Sequence, residues 1–207
     1  MALTTYAELK TSVGDWLNRS DLTTAIPDFI SLAEAQIERL LRTRQMIKRS
    51  TASISDEYNA FPIDFLEAKS FKLDTNPVTA MTFQTVDAMD KLTNTTYTSS
   101  GKPLYFTVVG TQIRVLPIPD TTYTGELVYY AQLSKLSTTN TTNWLLTQAP
   151  DVYLYGALMQ AAPYLQDDAR INVWSQLYQS GIEQLTVADD RGSSSGGTLL
   201  TRARTFG

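Results

Sequence analysis

Apolar residues return every three or four positions at the start of the chain, every second position in its middle, and every three or four again near its end. Tyr6, Leu9, Val13, Trp16 and Leu17 share one helical face. Thr5 and Glu8 precede and overlap that stripe as a capping box, so a helix is predicted from about Tyr6 to Asn18. A second helix is predicted to open near Pro27, with Asp28 in its first turn, and to run to about Arg44. Its buried face is Ile30, Ala33, Ile37, Leu40 and Leu41, and Glu34 with Glu38 followed by Arg39 and Arg42 matches the helix dipole.

From Met46 the period shortens. Ile47, Arg49, Thr51 and Ser53 alternate with Lys48, Ser50, Ala52 and Ile54, and the stretch to Tyr130 reads as strands broken by turns. Two β-rich runs, 104–109 and 112–116, flank Gly110-Thr111, a Gly-first hairpin loop. Pro117 and Pro119 stop the second run, and Glu126 to Ala131 returns as another strand. The polar tracts 93–100 and 137–143 read as exposed loops. Asn18, Asn94 and Asn140 fall in glycosylation-type triplets, which read as chance matches in a chain with no secretory leader.

Helical spacing resumes at Thr147, with Pro150 and Asp151 in a first turn and a stripe of Val152, Tyr155, Leu158, Met159 and Ala162. Pro163 is expected to end or kink this helix, and Asp167-Asp168 to start another with Ile171, Trp174, Tyr178, Ile182 and Leu185 on its buried face. Residues 191–197 are a Gly/Ser linker by composition. Two terminal helix pairs, each with one apolar face, bury those faces most economically against each other. The predicted fold is therefore α+β: a bundle of N- and C-terminal helices, an inserted antiparallel β region and a flexible C-terminal tail. The boundaries read as 1–46, 47–146, 147–190 and 191–207.

Composition narrows the chemistry. Hydrophobic residues make up 43% and charged residues 18%, a globular profile, and the net charge of −4 gives no electrostatic case for reading nucleic acid. The sequence contains neither Cys nor His. Disulfides, thiolate and imidazole nucleophile systems, and zinc sites built on those ligands are thereby excluded. No EF-hand spacing or phosphate-cradling Gly loop appears, so no metal or cofactor is expected. No basic-then-apolar leader opens the chain and no apolar run nears about 18 residues, which reads as a protein made in the cytoplasm with no membrane partner.

The remaining candidates are carboxylates and surfaces. Asp56-Glu57, Asp167-Asp168 and Asp189-Asp190 are adjacent acids at turns and helix ends, whereas acid/base pairs act across a cleft. Replacement of one acid, such as Asp64 or Asp151, tests a carbohydrate-active reading. Arg39, Arg42, Arg44, Lys48 and Arg49 form the strong basic run: a solvated helix terminus on one reading, a contact for an acidic partner or passing DNA on the other. Tyr129, Tyr130, Tyr153 and Tyr155 read as core at a sheet–helix junction rather than as a sugar platform. The tail carries Arg191, Arg202 and Arg204 and no acid, with apolar Leu199, Leu200 and Phe206. Leu199, Leu200, Arg202, Arg204 and Phe206 suit a segment that orders on a partner.

The order of these pieces resembles a known family. Ile113-Arg-Val-Leu-Pro-Ile-Pro119, Gly125-Glu-Leu-Val-Tyr-Tyr130, Leu145-Leu-Thr-Gln-Ala-Pro-Asp151, Tyr155-Gly-Ala157 and Asp167-Asp-Ala-Arg170 with Trp174 resemble the adaptor proteins, or head-to-tail connectors, of short-tailed bacteriophages. The Thr5-Tyr-Ala-Glu-Leu9 opening, Trp16-Leu17 and the Pro27 helix fit the same pattern. The resemblance implies a non-catalytic virion protein at the head–tail interface. It implies a homo-oligomeric ring, twelvefold in that family, joined to the portal and to tail nozzle or fibre proteins, with double-stranded DNA passing through it unread. Alternatives are another tail component (nozzle, tail-tube or fibre-attachment protein) or a carboxylate-based carbohydrate-active enzyme.

Overall fold

The computed structural model describes residues 3–97, 99–165 and 170–194. The chain folds into two compact units, one of residues 1–45 with 133–207, the other of residues 46–132.

In the helical unit, α1 (Tyr6–Leu17) starts at the expected capping box: the Thr5 hydroxyl accepts from the Glu8 N–H at 3.3 Å, and the Glu8 carboxylate accepts from the Thr5 N–H at 3.0 Å. α2 (Ile26–Leu40) has Pro27 in its first turn and stops at Leu41, short of the predicted Arg44. Leu41 is extended and buried, and a 3-10 turn over Arg44–Met46 follows. Anchoring the Leu41 side chain in the core turns the chain out of the helix before the basic run ends.

α4 (Trp144–Gln148) and α5 (Pro150–Leu165) follow the β unit. The predicted single stripe on α5 is an underestimate, because Tyr153, Leu154, Gly156, Ala157 and Ala161 are buried as well. A helix apolar on nearly every side belongs at the centre, and α5 packs against α1, α2, α4 and α6 (Ile171–Ser194). The helix also continues two residues past Pro163, which removes one backbone bond without ending it. Close approach depends on small residues. A Cβ on Gly181 would lie 2.8 Å from Val152 Cγ2, and one on Gly156 would lie 3.2 Å from both Ala33 Cβ and Tyr178. α6 runs to Ser194, so the predicted linker at 191 is helical for its first four residues.

The β unit is two four-stranded sheets. One has the order β1 (Ile47–Ile54), β8 (Tyr123–Ala131), β3 (Phe65–Leu73), β4 (Thr79–Ala80), and is antiparallel throughout. The other has the order β2 (Tyr58–Ala60), β7 (Gln112–Leu116), β6 (Tyr105–Val109), β5 (Thr82–Phe83), with β5 parallel to β6. The β6–β7 hairpin forms at Gly110-Thr111 as predicted, and Gly110 takes the left-handed conformation (φ +59°) that its loop position demands. β8 buries every second residue from Gly125 to Ala131. Its Leu127, Tyr129 and Ala131 meet Phe71 and Leu73 of β3, Phe106 of β6, and Ile113 and Val115 of β7 in one core between the sheets.

Two boundaries differ from the sequence reading. The β unit ends at Gln132, and residues 133–143, read from sequence as part of the insertion, pack with the helices. The tract 93–100 is not all loop, because α3 (Val86–Thr95) runs into it behind a Thr85 cap. Thr and Asn weigh against a helix by propensity, and here tertiary contacts override them.

Candidate interaction surfaces

Glu34, read from sequence only as an acid suited to the helix dipole, lies inside the buried face of α2, 3% exposed. Its Oε1 accepts the Leu136 N–H at 2.8 Å and the Tyr153 hydroxyl at 3.1 Å. That hydroxyl in turn accepts from Asn143 Nδ2 at 2.6 Å, and Asn143 caps α4 through Leu146 N–H. Glu38 accepts the Leu133 N–H at 3.0 Å. Two carboxylates thus satisfy the backbone of the segment returning from the β unit, where no regular structure would. Burial raises the Glu34 pKa against the pull of its hydrogen bonds, and burial foremost raises that of Tyr153.

The five basic residues of the 39–49 run do not act as one set. Arg42 turns back on α2, its guanidinium donating to the carbonyls of Glu38 and Leu41, both at 2.7 Å. Arg44 donates to Asp189 Oδ1 at 2.9 Å and rests against Gly192, where an added Cβ would collide with it. Lys48 and Arg49 belong to β1 in the other unit. Lys48 meets Asp64 at 2.6 Å and Arg49 meets Glu126 at 3.1 Å. Arg39 is exposed on the last turn of α2. Contacts of this exposed kind contribute little to stability and still leave positive charge at the surface.

Several of the acids are engaged in contacts within the fold. Lys48 beside it, more than the Tyr129 hydroxyl at 2.8 Å, holds the Asp64 pKa below its ordinary value. Glu57 and Asp90 both accept from Arg114, a residue of β7 whose side chain is 9% exposed, and Thr93 accepts a third bond. That cluster fastens α3 to the sheet, and sequence reading missed it because its members lie far apart in the chain. Asp151 is exposed and Asp189 is taken by Arg44. Asp167 and Asp168 lie outside the described residues. Four surface grooves are each lined by no more than one carboxylate: Glu67 in one, Glu183 in another, Asp15 in a third, none in the fourth. Among the described residues no three acids gather as a metal site, and no helix is long and apolar enough to cross a membrane.

Tyr129 and Tyr153 are core residues, as expected, Tyr155 meets Trp16 edge-on, and Tyr130 is half-buried. What the surface does offer is apolar. In the helical unit Trp16, Leu32, Leu40, Tyr164, Val173 and Leu177 are all at least 41% exposed. In the β unit Ile63, Val78 and Phe83 are exposed by more than half. Leu199, Leu200, Arg202, Arg204 and Phe206, the predicted partner-binding set, lie outside the described residues. A helix stripe predicts which face is apolar but not how much of it a neighbour leaves uncovered, so sequence alone placed Leu40 in the core.

The family model of the SU10 adaptor protein matches residues 4–202. No curated protein matches the chain.

Proposed function

The chain belongs to the SU10 adaptor protein family, and from that premise we propose that it forms the adaptor ring between portal and tail, surrounding the DNA exit channel. The protein is a structural phage adaptor of the virion, which associates with portal and tail components. The observation that carries this reading is the span of the family match, which takes in both compact units. The exposed large apolar side chains on the helical unit are available for contacts between copies or with the portal. A closed ring needs heterologous contacts, in which two different patches of each copy meet. Twelve copies is the number the family resemblance implies. DNA passes without sequence readout, its phosphates meeting surface charge such as Arg39.

The 191–207 arm anchors each copy to the portal or to the adjacent copy, with Leu199, Leu200 and Phe206 buried and Arg202 and Arg204 on acidic groups of the partner. One arm gains little over its ordering cost, so attachment depends on many arms engaging together. Electron microscopy of the protein mixed with its portal, with light scattering of each alone, tests the reading. Rings are expected on the portal and monomers or small oligomers without it. A stable full-size ring formed with no portal overturns the templated assembly, and no ring on portals or particles overturns the adaptor-ring reading.

A further inference from the structure

The sandwich of the β unit is open along both of its sides. On one side β1 and β2 are the last strands of their sheets, and on the other β4 and β5 are only two residues long. β4 covers β3 at Lys72 and Leu73, and β5 covers β6 at Tyr105 and Phe106. No described strand lies beside residues 65–70 of β3 on that side, or beside residues 107–109 of β6. Between these two uncovered edges runs a groove of about 450 Å³, with Phe65, Leu66, Ala68, Phe83, Phe106 and Val108 as its apolar lining. Phe83 is 55% exposed there. The opposite side of the sheet is open at β1. The Asp74 N–H donates to the Thr124 carbonyl at 2.8 Å, so Thr124, Glu126 and Val128 of β8 turn their backbone groups to β3. Gly125 and Leu127 turn theirs to Ala52 and Ser50 of β1. Arg49, Thr51 and Ser53 therefore aim their N–H and C=O groups outward. They do so from an eight-residue strand that has no proline and no register shift to protect it.

We propose that β1 of one copy adds to the uncovered edge of β3 on the next copy, so that the sheet continues from copy to copy. The inference rests on the ring reading and names the surface that closes the ring. β1 and β3 flank β8, so their free edges look in opposite directions and are two different patches, as a head-to-tail contact requires. Both are antiparallel to β8 and therefore run the same way. With strands along the ring axis, a turn of about 30° between copies, that of a twelvefold ring, keeps the joining strands close to parallel. β1 meeting β1 would instead pair antiparallel about a twofold axis and stop at two copies. The width also fits. Four strands spaced about 4.8 Å give roughly 19 Å per copy and a twelvefold circumference of roughly 230 Å, a radius of about 37 Å that admits a DNA duplex. Added to β3, the strand turns Ser50 and Ala52 toward the groove, since their partners Leu127 and Gly125 face the core. Register shifts between Phe65 and Glu67 and between Ala68 and Ser70 interrupt the receiving edge. Each joint thus makes few bonds, and the joints hold as a closed set on the portal.

Thr51→Pro removes one outward N–H and no bond to β8, a change that an edge strand tolerates. The full-length variant is expected to melt as the native chain does and to lose ring formation on the portal, seen by electron microscopy. Rings at the native yield would overturn the proposal. Disulfide trapping gives a reading that does not depend on that variant, because the chain has no native cysteine. Within one copy β1 and β3 lie two strand spacings apart, about 10 Å, beyond the roughly 7 Å that a disulfide spans. Any link between them therefore joins two copies. Ser70→Cys is combined in turn with Arg49→Cys, Thr51→Cys and Ser53→Cys, all at exposed positions. At least one combination is expected to give a ladder of linked copies up to the full ring when assembled on the portal. Rings with no link in any combination place the contact elsewhere, overturning this proposal and leaving the ring reading intact. Neither rings nor links would overturn both.

Discussion

Glu34 carries a pH dependence, because burial raises its pKa. A carboxyl whose folded pKa exceeds its unfolded one binds a proton on folding. Its contribution is therefore full below the unfolded value, near the ordinary 4.5, and is lost as pH rises through the raised folded value. Glu34→Gln keeps an oxygen for Leu136 and Tyr153 and removes that dependence. Melting curves from about pH 4 to pH 7 should show the variant gaining on the native chain as pH rises. A constant difference across that range would mean that Glu34 ionises freely. Arg114→Leu leaves Glu57 and Asp90 without their cation. Both acids are partly solvated, so the loss is expected near 2 kcal/mol rather than at the buried-pair limit, measured by urea denaturation. Neither residue's role was legible in sequence. Glu34 occupies a helical position that surface charge also favours, and the partners of Arg114 lie 24 and 57 residues away.

At the scale of elements, reading was most successful where the pattern is local. The Thr5–Glu8 box, the Gly110 hairpin and the alternation of β8 each lie within a few neighbouring residues, and each stands close to where sequence puts it. Element ends were less legible, because they depend on what the chain meets. α2 stops where Leu41 finds the core, and α6 runs on to Ser194, past the point where Arg44 meets Asp189. Gly125 gives the sandwich its closest constraint. A Cβ there would sit 2.8 Å from both Ile54 Cγ1 and Phe71 Cε2. Gly125→Ala is therefore expected to destabilise the β unit by about 1–3 kcal/mol, read as a lowered denaturation midpoint. An unchanged midpoint would mean that the Ile54 and Phe71 side chains move aside at no cost.

For the whole molecule, the α+β build with helices at both ends and an inserted β region was legible, because two changes of hydrophobic period mark it. The candidate site was not, since the arm predicted to bind lies outside the described residues and the open strand edges depend on the order of strands in the sheets. The end of α6 sets where the arm is cut. A chain ending at Ser194 retains every described helix and should melt almost as the full chain does, yet fail to co-purify with portal. Stopping at Asp190 would instead remove the turn on which Arg44 rests. If the chain ending at Ser194 binds portal as tightly as the full chain, the contact lies on the helices.

The insertion is entered through β1 and left through β8, and these strands pair from Ile47 opposite Tyr130 to Ile54 opposite Tyr123. Both ends of the β unit therefore open at the same mouth of one hairpin-like ladder. Tension that draws Met46 away from Gln132 falls on the Ile47–Tyr130 rung alone, then on the next, peeling the ladder in sequence. Strands pulled from opposite ends would share the load across all their rungs. A calibrated pull in optical tweezers, with handles at residues 46 and 132, should open the unit at low force, and handles at residues 46 and 123 should need far more. If the protein sits where pressurised DNA leaves a capsid, that ladder sets the force at which the β unit opens.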